Sequence, residues 1–282
     1  MTFPNTWLRI KKITAGQVIV FALLLLLFII VLYPYLWLIV STFKPGSEIV
    51  QYPPTFFAQH YTISSYIQVW NSIPLLAFLK NTVIFAGSVT ILSVLFDSAA
   101  GYAFARFNFK GKTIIFSFIL VTMMIPFQVL MIPLFIEEYK LSILNTYAGL
   151  ILPRMADAFG IFLMRSFFIS LPKELEEAAR VDGYNEFQIF YKIMLPLSKP
   201  GLITLGIINL MGNWNDLLYP LVLTSSTSMR TISAGLALFV GQRTLEYGPT
   251  LAAAAISLLP LVIVYIFAQK YFVQGIATTG LK

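Results

Sequence analysis

The sequence has 282 residues, of which 58% are hydrophobic and only 11% are charged, and its mean hydropathy is +0.82. Soluble domains carry about 25% charged residues, so this composition excludes a soluble globular protein and indicates an all-α integral membrane protein. The chain contains no cysteine and a single histidine, His60, which excludes disulfides, thiolate nucleophiles, multi-histidine metal sites and histidine-dependent catalytic triads.

Apolar runs of about 20 residues, long enough to cross about 30 Å of hydrocarbon, predict six transmembrane helices. They cover residues 17–40, 79–104, 113–136, 146–168, 201–223 and 250–271. The first run is longer than the apolar core of a signal peptide, about 7–15 residues, so we expect an uncleaved spanning helix. Pro126 and Pro133 lie inside the third run, where each removes a backbone donor and predicts a kink or break.

The distribution of cations predicts the orientation of the chain. With the N-terminus inside, most of the 19 lysines and arginines fall on the inner side, beginning with Arg9, Lys11 and Lys12. The positive-inside rule therefore predicts that both termini are cytoplasmic. The net charge of +7 then reflects topology and attraction to anionic membrane lipid, and no nucleic-acid partner is expected.

A proline-rich and aromatic-rich outer segment, residues 41–76, follows the first span. Residues 62–70 within it are predicted to form a short helix along the membrane surface, with Tyr66 and Trp70 on one face. Two interpretations of this segment are open: it is a docking surface for an extracytoplasmic partner, or it is an aromatic belt at the membrane interface.

A polar segment, residues 170–199, separates the fourth and fifth spans. Ser170 is placed to cap a first helix, and Gly183 can close that helix in the left-handed conformation. Asn185 can then cap a second helix. The pattern predicts a helix-turn-helix, either a docking element for another protein or an ordinary solvated loop.

This polar segment also carries a spaced motif, EAA followed after three residues by glycine and after nine more by I-x-L-P. The motif resembles the EAA loop of ABC importer permeases, a coupling helix that docks in a cleft of an ATP-binding subunit. The resemblance implies that closure of such ATPase subunits is transmitted into the membrane at this loop. The residues implied in coupling are Glu177, Ala178, Ala179, Asp182, Gly183, Ile193, Leu195 and Pro196.

The resemblance extends over about residues 17–282, through segments such as AGYAFARFNFKGK, NWNDLLYPLVL and FAQKYFVQGIATTGLK. These are similar to carbohydrate-uptake permeases of the maltose and glycerol-3-phosphate type, specifically the shorter, six-span partner of a permease pair. The resemblance implies that residues 1–282 form one type I ABC importer transmembrane domain in a bacterial inner membrane, with sugars or oligosaccharides as cargo and no cofactor or catalytic residue.

The same resemblance implies a set of partners. They are a second permease subunit in a heterodimer, two ATPase subunits that hydrolyse ATP, and an extracytoplasmic solute-binding protein. The resemblance also implies that residues 224–250 contact the binding protein and that the tail, residues 273–282, reaches the ATPases. Asp97, in the inner part of the second span, is predicted to bond to the partner permease.

Polar side chains within the spans mark a candidate cargo path, because each charge there costs about 2.5–3.5 kcal/mol. Asn209, Asn213 and Asp216 form one helical stripe on the fifth span, while Arg154 and Asp157 lie three residues apart in the fourth. Depth counting allows Arg154 and Asp216 to meet. Either these groups bind sugar hydroxyls or a cargo anion, or Arg154 pairs with an aspartate and holds the bundle together.

Two alternative functions stay open. An ion-coupled secondary transporter, working without partners, would need two related halves with interrupted helices and carboxylates at the membrane midplane. An ABC permease for another solute, such as a polyamine or phosphate, would share the EAA loop.

Overall fold

The computed structural model describes residues 14–242 and 246–279, and every regular element within them is a helix or a helical turn. Three helices are long and apolar enough to cross a membrane, and three bent helix pairs raise that number to six if each pair crosses as one unit. Six spans are thus consistent with the prediction. Arg9, Lys11 and Lys12, part of the orientation argument, lie outside the described residues, as do the last three residues of the tail.

The three continuous spans are α1, α4 and α15. Helix α1 covers Ala15–Ser41, α4 covers Leu75–Arg106, and α15 covers Tyr247–Thr279, which confirms the predicted spans 17–40, 79–104 and 250–271. Most apolar side chains of α1 are exposed, and the helix that α1 contacts most is α15. A helix that is apolar all round suits a surface covered by lipid or by another subunit.

The predicted third span is a sharply broken pair. Helix α5, Lys112–Thr122, and helix α6, Phe127–Lys140, meet at 99°. Pro126 precedes α6 in an extended conformation, so the break predicted at this proline is confirmed. No break occurs at Pro133, because α6 continues as a helix through that residue, and a kink there stays a prediction. Helix-internal proline is tolerated in membranes when neighbouring groups satisfy the freed carbonyl.

The fourth and fifth spans are also interrupted, so the uniform runs predicted at 146–168 and 201–223 need correction. Helix α7, Tyr147–Ile151, continues as a tight turn at Leu152–Arg154 and resumes as α8, Ala158–Ser170, after a 42° bend. Helix α12, Lys199–Asn215, stops before α13, Leu218–Leu223.

An aspartate sits at each of these two interruptions. The Asp157 carboxylate accepts a hydrogen bond from the Gly160 N–H at 3.2 Å, and the Asp216 carboxylate accepts one from the Tyr219 N–H at 3.1 Å. Each carboxylate satisfies a free donor at the start of the following half-helix, where a negative charge is favoured. The apolar runs are therefore broken where an aspartate replaces the missing intrahelical acceptor.

The outer segment after α1 folds into two short helices, α2 at Gly46–Ile49 and α3 at Ser64–Ser72. The predicted helix at 62–70 is confirmed as α3, whose Val69 is buried against Phe78 of α4 and Ala252 of α15. Beyond α13, a short turn at Thr227–Met229 leads into α14, Ile232–Gln242.

The polar segment forms a hairpin of helices, as predicted. Helix α9 covers Glu174–Val181 and α10 covers Glu186–Ile189; a wider turn at Phe190–Met194 leads into α11, Leu195–Leu197. We call residues 174–197 the coupling hairpin. Between the two arms, Gly183 adopts the left-handed conformation with φ of 83°, and Asn185 caps α10 through the Gln188 N–H, which confirms both predictions. The cap predicted at Ser170 is wrong: α8 extends to that residue, whose hydroxyl donates back to the Phe167 carbonyl at 2.7 Å.

Candidate functional site

The coupling hairpin is held against one end of the bundle by a buried apolar cluster. This cluster joins side chains of α4, α8, the hairpin and α12, namely Tyr102, Met164, Phe168, Ala179, Ile189, Met194 and Leu205. The rings of Tyr102, Phe168 and Phe190 contact one another with centroids 5.1 to 6.3 Å apart. Because the hairpin shares a core with three spans, a force applied to it acts directly on them.

The predicted coupling residues divide between the surface and this core. Glu177, Ala178, Asp182, Gly183 and Pro196 are exposed on the hairpin surface. Ile193 and Leu195 are half-buried and pack against the cluster.

Ala179 differs from the docking role given to it by the motif, because it is only 3% exposed and belongs to the cluster. Its side chain contributes to the packing of α9 on the core, and its role in coupling stays a prediction.

The tip of the hairpin exposes two large apolar side chains that were not among the residues predicted from the sequence. Val181 is 88% exposed and Phe187 is 72% exposed, one on each side of Gly183. Arg180 and Glu186 tie the two arms together through a bidentate ion pair with N–O distances of 2.7 and 3.2 Å. Exposed apolar groups beside charged side chains are typical of a protein-binding surface. Their positions beside a turn glycine in a polar loop were the available sequence signal.

A buried ion pair joins the hairpin to α4. The Arg106 Nε lies 2.7 Å from the Glu176 carboxylate, and the two side chains are 4% and 5% exposed. Arg106 also donates to the Leu171 carbonyl at 2.7 Å. Burial raises the pKa of Glu176, and the positive charges of Arg106 and Arg180 partly offset that rise. The carboxylate therefore depends on these arginines to remain charged in its buried position.

A polar cavity of about 470 Å³ lies beside the interruptions of the fourth and fifth spans. Its polar lining comes from α12 and from the segment between α7 and α8. Four of the five predicted path residues line it, namely Arg154, Asp157, Asn209 and Asn213. The fifth, Asp216, contacts Arg154.

Arg154 is the most extensively partnered group at the cavity. One of its terminal nitrogens lies 2.6 Å from the Asp216 carboxylate, and the other donates to the Asn213 side-chain oxygen at 2.9 Å. Its guanidinium also stacks over the Tyr219 ring at 4.0 Å. The predicted meeting of Arg154 and Asp216 is therefore confirmed, and the ion pair ties the two interrupted spans together. Contact with cargo stays a prediction for all five residues.

The position of Asp97 differs from the prediction that it bonds to a partner permease. Its carboxylate is completely buried, accepts a hydrogen bond from the Ser93 hydroxyl and accepts another from the Asp157 N–H at 2.8 Å. It therefore does not lie on a surface that a second subunit can reach, and the predicted bond to a partner is wrong. The missing sequence signal was the free backbone N–H created by the interruption before α8.

Comparisons with known proteins agree with this architecture. A family model described as the inner membrane component of binding-protein-dependent transport systems matches residues 97–278. The arabinooligosaccharides transport system permease protein AraQ of Halalkalibacterium halodurans is 38% identical, over 90% of this chain and 92% of that protein. The trehalose/maltose transport system permease protein MalG of Thermococcus litoralis is 35% identical, over 92% and 94% of the two chains.

One solved structure is similar in both fold and sequence. It is a chain from a bacterial ABC transporter involved in the import of the acidic polysaccharide alginate, with a TM-score of 0.79 and 27% identity. The match covers 92% of this chain and 99% of that one. The family match spans well over half of the chain and includes the hairpin and the five predicted path residues. The chain therefore belongs to the family of inner-membrane components of binding-protein-dependent transport systems.

Proposed function

We propose that this chain is the permease subunit of an ATP-driven importer for sugars or oligosaccharides. It forms half of the translocation path and is coupled to ATPase subunits through the coupling hairpin. The cargo class rests on the names of its relatives, which concern arabinooligosaccharides, trehalose or maltose, and alginate. These names favour a carbohydrate over the polyamine or phosphate alternative, and the family favours partner-dependent import over an ion-coupled transporter.

The observation that carries the coupling role is the exposed apolar tip of the hairpin. Val181 and Phe187 project from a hairpin whose base packs in the same core as α4, α8 and α12. The adjacent exposed motif residues Glu177 and Asp182 add a polar rim. An apolar centre with a polar rim is the usual composition of a protein interface. The partner we assign to this surface is an ATPase subunit, so residues 170–199 face the cytoplasm.

With an ATPase subunit on the hairpin, the positions of the other partners follow within the proposal. Both termini are cytoplasmic, residues 1–282 act as one permease domain, and ATP hydrolysis belongs to two separate ATPase subunits. A second permease subunit covers exposed apolar side chains of α5 and α6, such as Phe118 and Ile132, with lipid around the remainder. A solute-binding protein approaches the opposite face, where α3 and the segment before α14 lie.

The polar cavity is the part of the path that this chain contributes. Asn209 and Asn213 offer amide groups, and Asp157 offers a carboxylate, at a wall otherwise formed by apolar residues. These groups suit sugar hydroxyls because an amide both donates and accepts hydrogen bonds, while a carboxylate accepts them. The ion pair of Arg154 is with Asp216.

The proposal is tested by expressing the chain together with the neighbouring transport genes and purifying it in mild detergent. The proteins that accompany it are then identified. We expect a second permease and an ATPase in the complex. In vesicles containing this complex and the binding protein, uptake of an arabino- or malto-oligosaccharide should require ATP. Uptake by vesicles that contain this chain alone, without ATP, would contradict the proposal.

A further inference from the structure

Helix α4 connects the coupling hairpin to the polar cavity. Its last residue, Arg106, is paired with Glu176 of the hairpin, and both side chains are buried. Nine residues earlier, Asp97 accepts the hydrogen bond from the Asp157 N–H, next to the cavity. At about 1.5 Å per residue, these two attachment points lie about 14 Å apart along one unbroken helix. Helix α4 thus forms an ion pair with the hairpin at one end and a carboxylate hydrogen bond to the interruption before α8 further along. Among the described residues, no other helix makes both of these contacts.

The packing between α4 and α8 leaves little room for the two helices to slide. A Cβ added at Gly101 would lie 2.8 Å from both the Arg165 backbone nitrogen and the Met164 Cβ. A Cβ added at Gly160 would collide with the Asp97 carboxylate. Because only glycine permits this approach, the helices move together or not at all.

The hairpin end of α4 is equally well constrained. Arg106 binds Glu176 in α9 and also the carbonyl of Leu171, which joins α8 to α9. A displacement of α9 cannot occur without either moving the end of α4 or separating two buried charges. Separating them is unfavourable because each charge would then be left unpaired away from water.

We propose that the Arg106–Glu176 ion pair is the strut through which the coupling hairpin moves α4, and that α4 carries the motion through Asp97 to the interruption beside the polar cavity. Arg106, Glu176 and Asp97 are thus positioning residues for transport. The inference rests on the proposed function, because the movement of the hairpin originates in the ATPase subunits. It assigns the route inside this chain, a route that the docking surface alone does not specify.

The test uses a single reporter thiol in the cavity. The chain has no cysteine, so Gly212→Cys introduces the only one. Gly212 lines the cavity, and a Cβ built there meets no atom within 4 Å. In the assembled transporter in vesicles, the rate of labelling by a small charged methanethiosulfonate reagent is measured without nucleotide and with ATP plus vanadate. We expect the rate to change several-fold between the two conditions.

The strut is then removed in this reporter background. Glu176→Ala should abolish the nucleotide-dependent change in labelling, while the ATPase still co-purifies and hydrolyses ATP. Glu174→Ala is the matched control, because it removes a carboxylate from the same helix, α9, that is exposed and not buried. It should retain the change. The charge-swapped chain, Arg106→Glu with Glu176→Arg, should regain at least part of it.

Each outcome decides the inference. A full nucleotide-dependent change in Glu176→Ala would overturn it. If Glu176→Ala fails to assemble with the ATPase, the charge-swapped chain decides: an assembled swap without the change overturns the inference, and one with the change supports it. Failure of both to assemble would assign the pair to folding and also overturn it. Absence of any change in the Gly212→Cys chain itself would instead count against the proposed function.

Discussion

Replacing Gly183 with valine should abolish ATP-coupled uptake while the chain still inserts into the membrane. Gly183 has a φ of 83°, which a β-branched residue adopts at a cost of about 1–2 kcal/mol or more. A Cβ at this position meets no atom within 4 Å, so the effect comes from the backbone and not from a clash. The turn would rearrange and displace Val181 and Phe187 from the tip. The measurement is the ratio of cargo imported to ATP hydrolysed in vesicles.

The matched control for this substitution is Gly183→Asn. Asparagine tolerates the left-handed conformation better than other non-glycine residues, so the turn should persist and uptake should fall much less than in the valine variant. Detergent extraction and co-purification of the second permease establish that both variants insert. Equal and undiminished uptake by the two variants would remove the turn from the coupling mechanism.

Replacing Arg154 with methionine should destabilise the transporter and weaken transport. The substitution leaves the Asp216 carboxylate without its cation at the interruption between α12 and α13, and the Arg154 stack on Tyr219 is lost as well. Removing one partner of a buried ion pair costs about 3–5 kcal/mol, and the partial exposure of this pair, 25% and 18%, places the loss near the lower end. We expect the thermal unfolding midpoint of the purified complex to fall by several degrees.

Two further variants identify the cause of that loss. Adding Asp216→Asn to Arg154→Met should restore most of the lost thermal unfolding midpoint. The amide oxygen can still accept the hydrogen bond from the Tyr219 N–H, and no unpaired charge is left. Arg165→Met removes another arginine that stacks on an aromatic ring, at 4.4 Å from Phe116, but whose bonds among the described residues are to a carbonyl. Arg165→Met should lower the thermal unfolding midpoint by less than Arg154→Met does. An unchanged midpoint in Arg154→Met would show that the pair contributes nothing to stability.

Local chemistry explains which features were predictable from the sequence. The left-handed turn at Gly183 and the cap at Asn185 each depend on residues within a few positions, so the local sequence is sufficient to predict them. The meeting of Arg154 and Asp216 was predictable from depth, because charged groups at equal depth in hydrocarbon are favoured when paired.

Features that depend on tertiary neighbours were not predictable. An apolar run averages over one or two polar residues, so it did not reveal that Asp157 and Asp216 interrupt their spans. Ala179 carries no sign in the motif that it faces the core, because alanine suits both a docking surface and tight packing. The partner of Asp97 was missed because it is a backbone N–H, and a backbone group has no signature in the sequence.

Crosslinking from the exposed position 178 tests the central claim most directly. Ala178→Cys would be the only cysteine of the chain and lies beside the apolar tip. The account predicts that a short thiol-reactive photocrosslinker at this position captures the co-purified ATPase subunit, with a yield that changes when ATP and vanadate are added. Capture of only the second permease or of the solute-binding protein, with no ATPase product in either condition, would contradict it.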